Sequence, residues 1–135
     1  MIVVLDASGA AEIAAKTQAG IDFINVLMSA DRVMAPELYI AEISNVMRKF
    51  GRRDKVSEKI YIEMAHDCIE YIDEYVGTAK LWKEALRLSL QNDHSVYDML
   101  YTVLARRNDA MLLTADEKLL EICGKIGVFC KGLKK

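Results

Sequence analysis

Four acids of this chain could do chemistry together: Asp6, Glu42, Asp98 and Asp116. Asp6 ends the apolar run Ile2-Val3-Val4-Leu5 and is followed by small residues through Ser8. Asp116 repeats that arrangement after Ala110–Thr114. Glu42 lies mid-helix, on one stripe with Leu38, Asn45 and Lys49, while Ile43, Val46, Met47 and Phe50 take the core side. Asp98 falls in the first turn of a helical segment that is apolar nearly all round. Each acid also has a structural reading. Asp6 serves equally well as a helix N-cap, and Thr114 or Asp116 can cap the helix that follows them. Glu42 alone is an ordinary solvated helix glutamate, and an acid at position 98 suits the helix dipole.

Carboxylates brought together repel one another, and their pKa values rise unless a cation neutralises them. A cluster of three or four therefore implies a hard divalent ion, Mg²⁺ or Mn²⁺, held by oxygen ligands. Such an ion polarises a phosphodiester and lowers the pKa of a bound water. Zinc does not fit, because His66, His94 and the three cysteines lack ligand spacing. His94, beside the Asp98 turn, reads as a loop residue rather than a ligand.

These acids need a scaffold. A fully apolar run such as Ile2–Leu5 suits a strand covered on both faces of a parallel sheet, and such sheets present ligands beyond the carboxyl ends of their strands. Helices are expected from a Ser8 cap to Lys16, from Thr17 to Ser29, from Pro36 as first helical residue through Phe50 with Gly51 as the stop, and from Ser57 to Ile72. Three more are expected: a Thr78 cap to Gln91, Ser95 to Arg107, and Ala115 to Ile126 with Gly127 as the stop. Further strands are expected at Arg32–Ala35, Glu74–Val76, Ala110–Thr114 and Val128–Cys130, with a mobile lysine-rich tail from Lys131. Alternating strands and helices imply right-handed crossovers and a small parallel sheet of four or five strands with helices on both sides.

At 135 residues, 53% of them hydrophobic, the chain is long enough for one packed domain spanning 1–135. A net charge of −2 argues against gripping nucleic acid by bulk charge, which leaves only local basic patches for that purpose. Three cysteines without a CxxC pair fit reduced thiols in the cytoplasm better than a disulfide framework. No signal peptide or membrane-length apolar run is visible.

Four segments then carry a resemblance: Val4-Leu5-Asp6-Ala7-Ser8; Ala35-Pro36-Glu37-Leu38 leading to Glu42-Ile43-Ser44-Asn45-Val46; Ser95-Val96-Tyr97-Asp98-Met99-Leu100-Tyr101; and Leu113-Thr114-Ala115-Asp116. In order and spacing they resemble the PIN-domain ribonucleases, most closely the VapC toxins of toxin–antitoxin pairs. The resemblance implies an α/β fold, three-layer α/β/α around a small parallel sheet, and an acidic metal site formed by Asp6, Glu42, Asp98 and Asp116. It further implies an Mg²⁺- or Mn²⁺-dependent endoribonuclease, a homodimer, and a cognate VapB-like antitoxin whose tail enters the active-site groove. Ser8, Asn45, Arg48 and Thr114 become residues that support the acids or touch RNA. Arg48, Lys49, Arg52, Arg53 and Lys55 are placed to meet RNA phosphates or, equally, to complement a helix end. Tyr97 and Tyr101 read as packing residues. Position 119 departs from the fuller acidic pattern of some relatives, because Leu119 adds no further carboxylate.

Two other classes compete. A catalytically silent PIN domain would act as a protein- or RNA-binding module. A phosphoryl-transfer α/β protein is disfavoured, since a dehalogenase-like phosphatase needs a second aspartate where Ser8 stands, and a receiver domain needs paired acids near the first strand.

Overall fold

A computed structural model describes residues 1–54 and 57–132. Its five strands are β1 (Ile2–Leu5), β2 (Arg32–Pro36), β3 (Glu74–Val76), β4 (Met111–Leu113) and β5 (Cys130–Lys131). They form one sheet in the order β3-β2-β1-β4-β5, and every neighbouring pair is parallel. The unbroken apolar character of Val3-Val4-Leu5 is explained by this central place, where all three residues are fully buried.

Seven helices surround the sheet among the described residues: α1 (Ala7–Ala14), α2 (Gln18–Ser29), α3 (Leu38–Asp54), α4 (Glu58–Glu70), α5 (Trp82–Asn92), α6 (Val96–Arg107) and α7 (Glu117–Ile126). Helices α1 to α4 pack on one another, and α3 touches β2. Helix α6 packs against α5 and lies along β1, β2 and β4, and α7 lies along β5. This is the α/β arrangement expected from the strand–helix alternation. Residues Met99 to Ala105 of α6 are all buried, which accounts for a helix without a polar face. Among the described residues no helix is long and apolar enough to cross a membrane. Cys68, Cys123 and Cys130 are free thiols.

Several expected boundaries move, each for a local reason. Pro36 ends β2 rather than opening a helix: it pairs with Val76 at the end of the strand, beyond the last β1 pairing at Met34. Its missing N–H is not needed there, and Glu37 N–H donates to the Val76 carbonyl instead at 2.9 Å. Gly51 does not stop α3. A Cβ there would meet the Tyr61 ring at 3.4 Å, an ordinary contact, so the helix runs through Gly51 with neither a turn nor a close approach that demands glycine. Asp6, not Ser8, caps α1, and a left-handed Lys16 (φ 57°) closes the turn after it. Thr78 opens a single 3₁₀ turn (Thr78–Lys80), and α5 begins only at Trp82. Helix α4 ends at Glu70, two residues short of Ile72. The last strand is Cys130–Lys131, so Lys131 belongs to the sheet rather than to a mobile tail. Gly127 does close α7, with φ of 77° in the left-handed region that glycine enters without cost. Lys55 lies outside the described residues.

Candidate active site

Because all five strands are parallel, the carboxyl ends of β1, β2 and β4 open at one edge of the sheet. The chain leaves β1 toward β2 on one side, whereas β4 joins on the other side. Such a switch point leaves a crevice between neighbouring strand ends. Asp6 follows β1 and Asp116 follows β4 at this crevice. Helix α3, entered from β2, carries Glu42, and the first turn of α6 carries Asp98. Asp6, Glu42, Asp98 and Asp116 line one small cleft with Ala7, Ser8 and Tyr101. The four acids are thus brought together from positions up to 110 residues apart.

Hydrogen bonds fix the two strand-end acids. Asp6 Oδ1 accepts from the Gly9 N–H at 2.8 Å and the Ser8 hydroxyl at 2.7 Å, and Oδ2 accepts from the Thr114 hydroxyl. Ser8 Oγ in turn accepts from Ala115 N–H at 2.9 Å, and Thr114 Oγ1 accepts from Asp116 N–H at 3.1 Å. Ser8 and Thr114 therefore tie the β1 and β4 ends together behind Asp6. Asp116 caps α7 through Oδ1, which accepts from Lys118 and Leu119 N–H at 3.0 and 3.1 Å. Capping and a place in the cleft coexist for both acids. A carboxylate offers about four lone-pair directions, so three bonds on Asp6 leave roughly one for another ligand.

Among the described residues, the other two acids take one side-chain hydrogen-bond partner each. The buried Tyr101 hydroxyl donates to Glu42 Oε1 at 2.5 Å. His94 Nε2 lies 2.7 Å from Asp98 Oδ2. The cleft is electrostatically unbalanced. Burial pushes the Asp6 carboxyl up to about 7, with its hydrogen bonds pulling back and the Asp98 charge adding to the rise. Glu42 and Asp98 are raised as well, first by burial; the Asp98 charge adds for Glu42 and the Asp116 charge for Asp98. No lysine or arginine is among the described residues lining the cleft. Four converging carboxylates with open lone pairs, and no lysine or arginine among the described residues beside them, suit a hard divalent ion. The cleft measures about 90 Å³. That admits an ion with a few waters, whereas sites that engulf small molecules run to roughly 300 Å³ and more.

A family model for the PIN domain matches residues 3–125. The chain belongs to the PIN-domain family. No curated protein matches it by sequence. Among solved structures it is similar to PAE2754 from Pyrobaculum aerophilum, with 20% identity, TM-score 0.72, and coverage of 90% of this chain and 87% of that one. VapBC2 from Rickettsia felis, bound to a DNA fragment from its promoter, is similar at 12% identity and TM-score 0.69, covering 99% and 100% of the two chains. The sarcin–ricin loop cleaving toxin VapC20 of Mycobacterium tuberculosis follows at 17% identity and TM-score 0.65, covering 88% and 93%. At these identities the likenesses speak for the fold.

In this PIN domain the remaining predicted residues divide. Ser8 and Thr114 contact Asp6 directly. Asn45 is exposed and is not among the residues lining the acid cleft. Arg48 turns instead into a groove of about 640 Å³ between α3 and α4, with Met47, Arg52, Tyr61, Ile62 and Ile69. Lys49, Arg52 and Arg53 line a basic recess of about 290 Å³. Leu119 is fully buried in the core, which explains the missing acid there. Two residues beside the acids escaped sequence reasoning, His94 and the hydroxyl of Tyr101. The i, i+4 spacing of His94 to Asp98 was the available signal, hidden by the loop character of Asn92-Asp93-His94. Tyr101 does pack, as its spacing suggested, but its hydroxyl also faces Glu42.

Proposed function

We propose that this PIN domain is a metal-dependent endoribonuclease of the VapC type, acting in the cytoplasm and held in check by a small VapB-like antitoxin. The observation that carries the reading is the convergence of Asp6, Glu42, Asp98 and Asp116 on one cleft that no lysine or arginine of the described residues lines. In this reading the four carboxylates hold Mg²⁺ or Mn²⁺. When bound, that ion supplies Lewis acidity toward a phosphodiester and a water of lowered pKa. Thr114, Ser8 and the Gly9 N–H hold Asp6 in place, and Tyr101 holds Glu42. A cleft too small for a nucleotide suits a polymer lying across its rim, with only a backbone phosphate entering. Cations of α3 beside Glu42 would take flanking phosphates of a single strand. The toxin and antitoxin parts of the reading are supported by the Rickettsia and Mycobacterium neighbours.

Purified protein with mixed cellular RNA and Mn²⁺ provides the test. Cleavage stopped by EDTA and reduced at least about 100-fold by Asp98→Asn, with the fold intact by circular dichroism, is the expected outcome. Undiminished cleavage by Asp98→Asn overturns the site. We further propose a homodimer. Trp82, Leu86 and Leu90 repeat every four residues as exposed apolar side chains on α5, which supports a face that a second copy would bury. Sedimentation equilibrium should give a dimer for the native chain and a monomer for Leu90→Lys if α5 forms that contact.

A further inference from the structure

The four acids leave one group of the site without a role, the imidazole of His94. Its side chain is only 8% exposed and lies 2.7 Å from Asp98, whereas that of His66 is 69% exposed on α4. The donor atoms of His94, Asp98 and Asp116 all lie within 4.8 Å of one another. That is close to the roughly 3–4 Å that donors of one six-coordinate ion keep when each stands about 2.1 Å from it. The Asp6 and Glu42 carboxylates line the same cleft, and the group of donors that lies within 4.8 Å among the described residues includes the imidazole.

The imidazole is also held in place. Asp93 closes α5 in a left-handed conformation (φ 48°), which turns the chain back toward the sheet edge. His94 N–H donates to the Ser89 carbonyl at 3.2 Å, and the Ser89 hydroxyl donates to the His94 carbonyl. Ser95 then caps α6, with Tyr97 N–H donating to its hydroxyl at 3.1 Å. Glu84 of α5 faces Arg106 and Arg107 of α6 at 3.5 and 3.7 Å, which pairs the two helices at the end opposite this turn. A residue positioned from both sides in this way aims its ring without an ordering cost when a ligand arrives.

We propose that His94 is a nitrogen ligand of the ion held by Asp98 and Asp116, so that the site prefers an imidazole-accepting first-row transition ion, Mn²⁺, over Mg²⁺. Mg²⁺ takes oxygen ligands and water almost exclusively; Mn²⁺ shares its liking for carboxylate and water, but as a first-row transition ion it accepts an imidazole nitrogen beside them more readily than Mg²⁺ does. The proposal rests on the metal-dependent reading of the acid cleft. The alternative is that His94 Nε2–H donates to Asp98 and merely orients it.

Mn²⁺ bound to the tag-free, full-length chain separates the two by pulsed electron paramagnetic resonance. The expected spectrum shows strong coupling to a directly coordinated imidazole nitrogen, lost in His94→Gln and kept in His66→Gln. Calorimetric titration should give an Mn²⁺ affinity about tenfold weaker in His94→Gln and an Mg²⁺ affinity changed less than about twofold, within the range seen when groups at a metal site are removed. A native Mn²⁺ spectrum without that nitrogen coupling overturns the proposal, and so does an equal loss of affinity for both ions. The native spectrum decides even if a variant does not fold. Absence of any Mn²⁺ binding overturns this proposal together with the metal reading. Mn²⁺ coordination by His94 without RNA cleavage would sustain the ligand assignment and reject the nuclease.

Discussion

Asp6 is only 4% exposed, and burial pushes its carboxyl up to about 7 although Thr114, Gly9 and Ser8 donate to it. In the unfolded chain the same group titrates near 3.8. Between those values the folded state binds more protons than the unfolded one, so metal-free stability falls as pH rises. The stabilisation is complete below the unfolded value and lost above the folded one, up to roughly 4 kcal/mol for this group alone. Glu42 and Asp98 shift in the same direction. Thermal melts in EDTA should therefore give a lower Tm at pH 7.5 than at pH 5. Added Mn²⁺ should restore stability at pH 7.5 and do little at pH 5, and Asp6→Asn should flatten the profile. A metal-free Tm that climbs across this window would show that burial does not disfavour the charged carboxylates. Three acids of the candidate site were legible from position, because strand-end and first-turn places limit where a carboxylate can go, whereas mid-helix Glu42 stood out only through the family resemblance. Which donors stand behind each acid was not legible, since Thr114 and Tyr101 are 108 and 59 residues from their partners.

Helix α1 must enter close to the β1–β4 edge for Asp6 to cap it and still face the cleft. Gly9 permits this: a Cβ there would meet the Leu113 carbonyl oxygen at 3.0 Å and Leu5 Cδ1 at 3.1 Å. The Leu113 oxygen belongs to the sheet backbone and accepts from Asp6 N–H, so it cannot swing aside. Gly9→Ala should push the start of α1 outward, at a cost of about 1–3 kcal/mol in urea denaturation. RNA cleavage should fall with it, because the Gly9 N–H and Ser8 both position Asp6. Wild-type stability in this variant would mean that α1 has slack at its first turn. Element boundaries were legible where one residue dominates, as at Gly127. They failed at Pro36, which pairing with β3 draws into the sheet, and at Gly51, which α3 passes through to reach Asp54 while packing on α4.

At the scale of the molecule, a net charge of −2 sets the chain against a nucleic acid unless cations are gathered locally. Lys49, Arg52 and Arg53 line one recess at the end of α3, the helix that carries Glu42. If RNA crosses this recess to reach the acids, Lys49→Ala with Arg52→Ala should weaken binding of single-stranded RNA about tenfold. The slope of log affinity against log salt should shrink by roughly 0.7 for each phosphate that is no longer neutralised. Mn²⁺ affinity should not change. A steep salt dependence that survives both substitutions would place the RNA path elsewhere.

Local chemistry by itself determined much of this protein. Apolar runs ending in acids give buried parallel strands whose ends carry carboxylates, and helix periodicity places Glu42 opposite the core side of α3. The family resemblance follows from those same residues. Tertiary structure alone decided strand order, with β1 at the centre and the crevice at its junction with β4. It also decided that Arg48 turns away from the acids and that His94 turns toward them. The reason is physical: periodicity reports which face of an element is buried, whereas the partner across a gap depends on how whole elements pack.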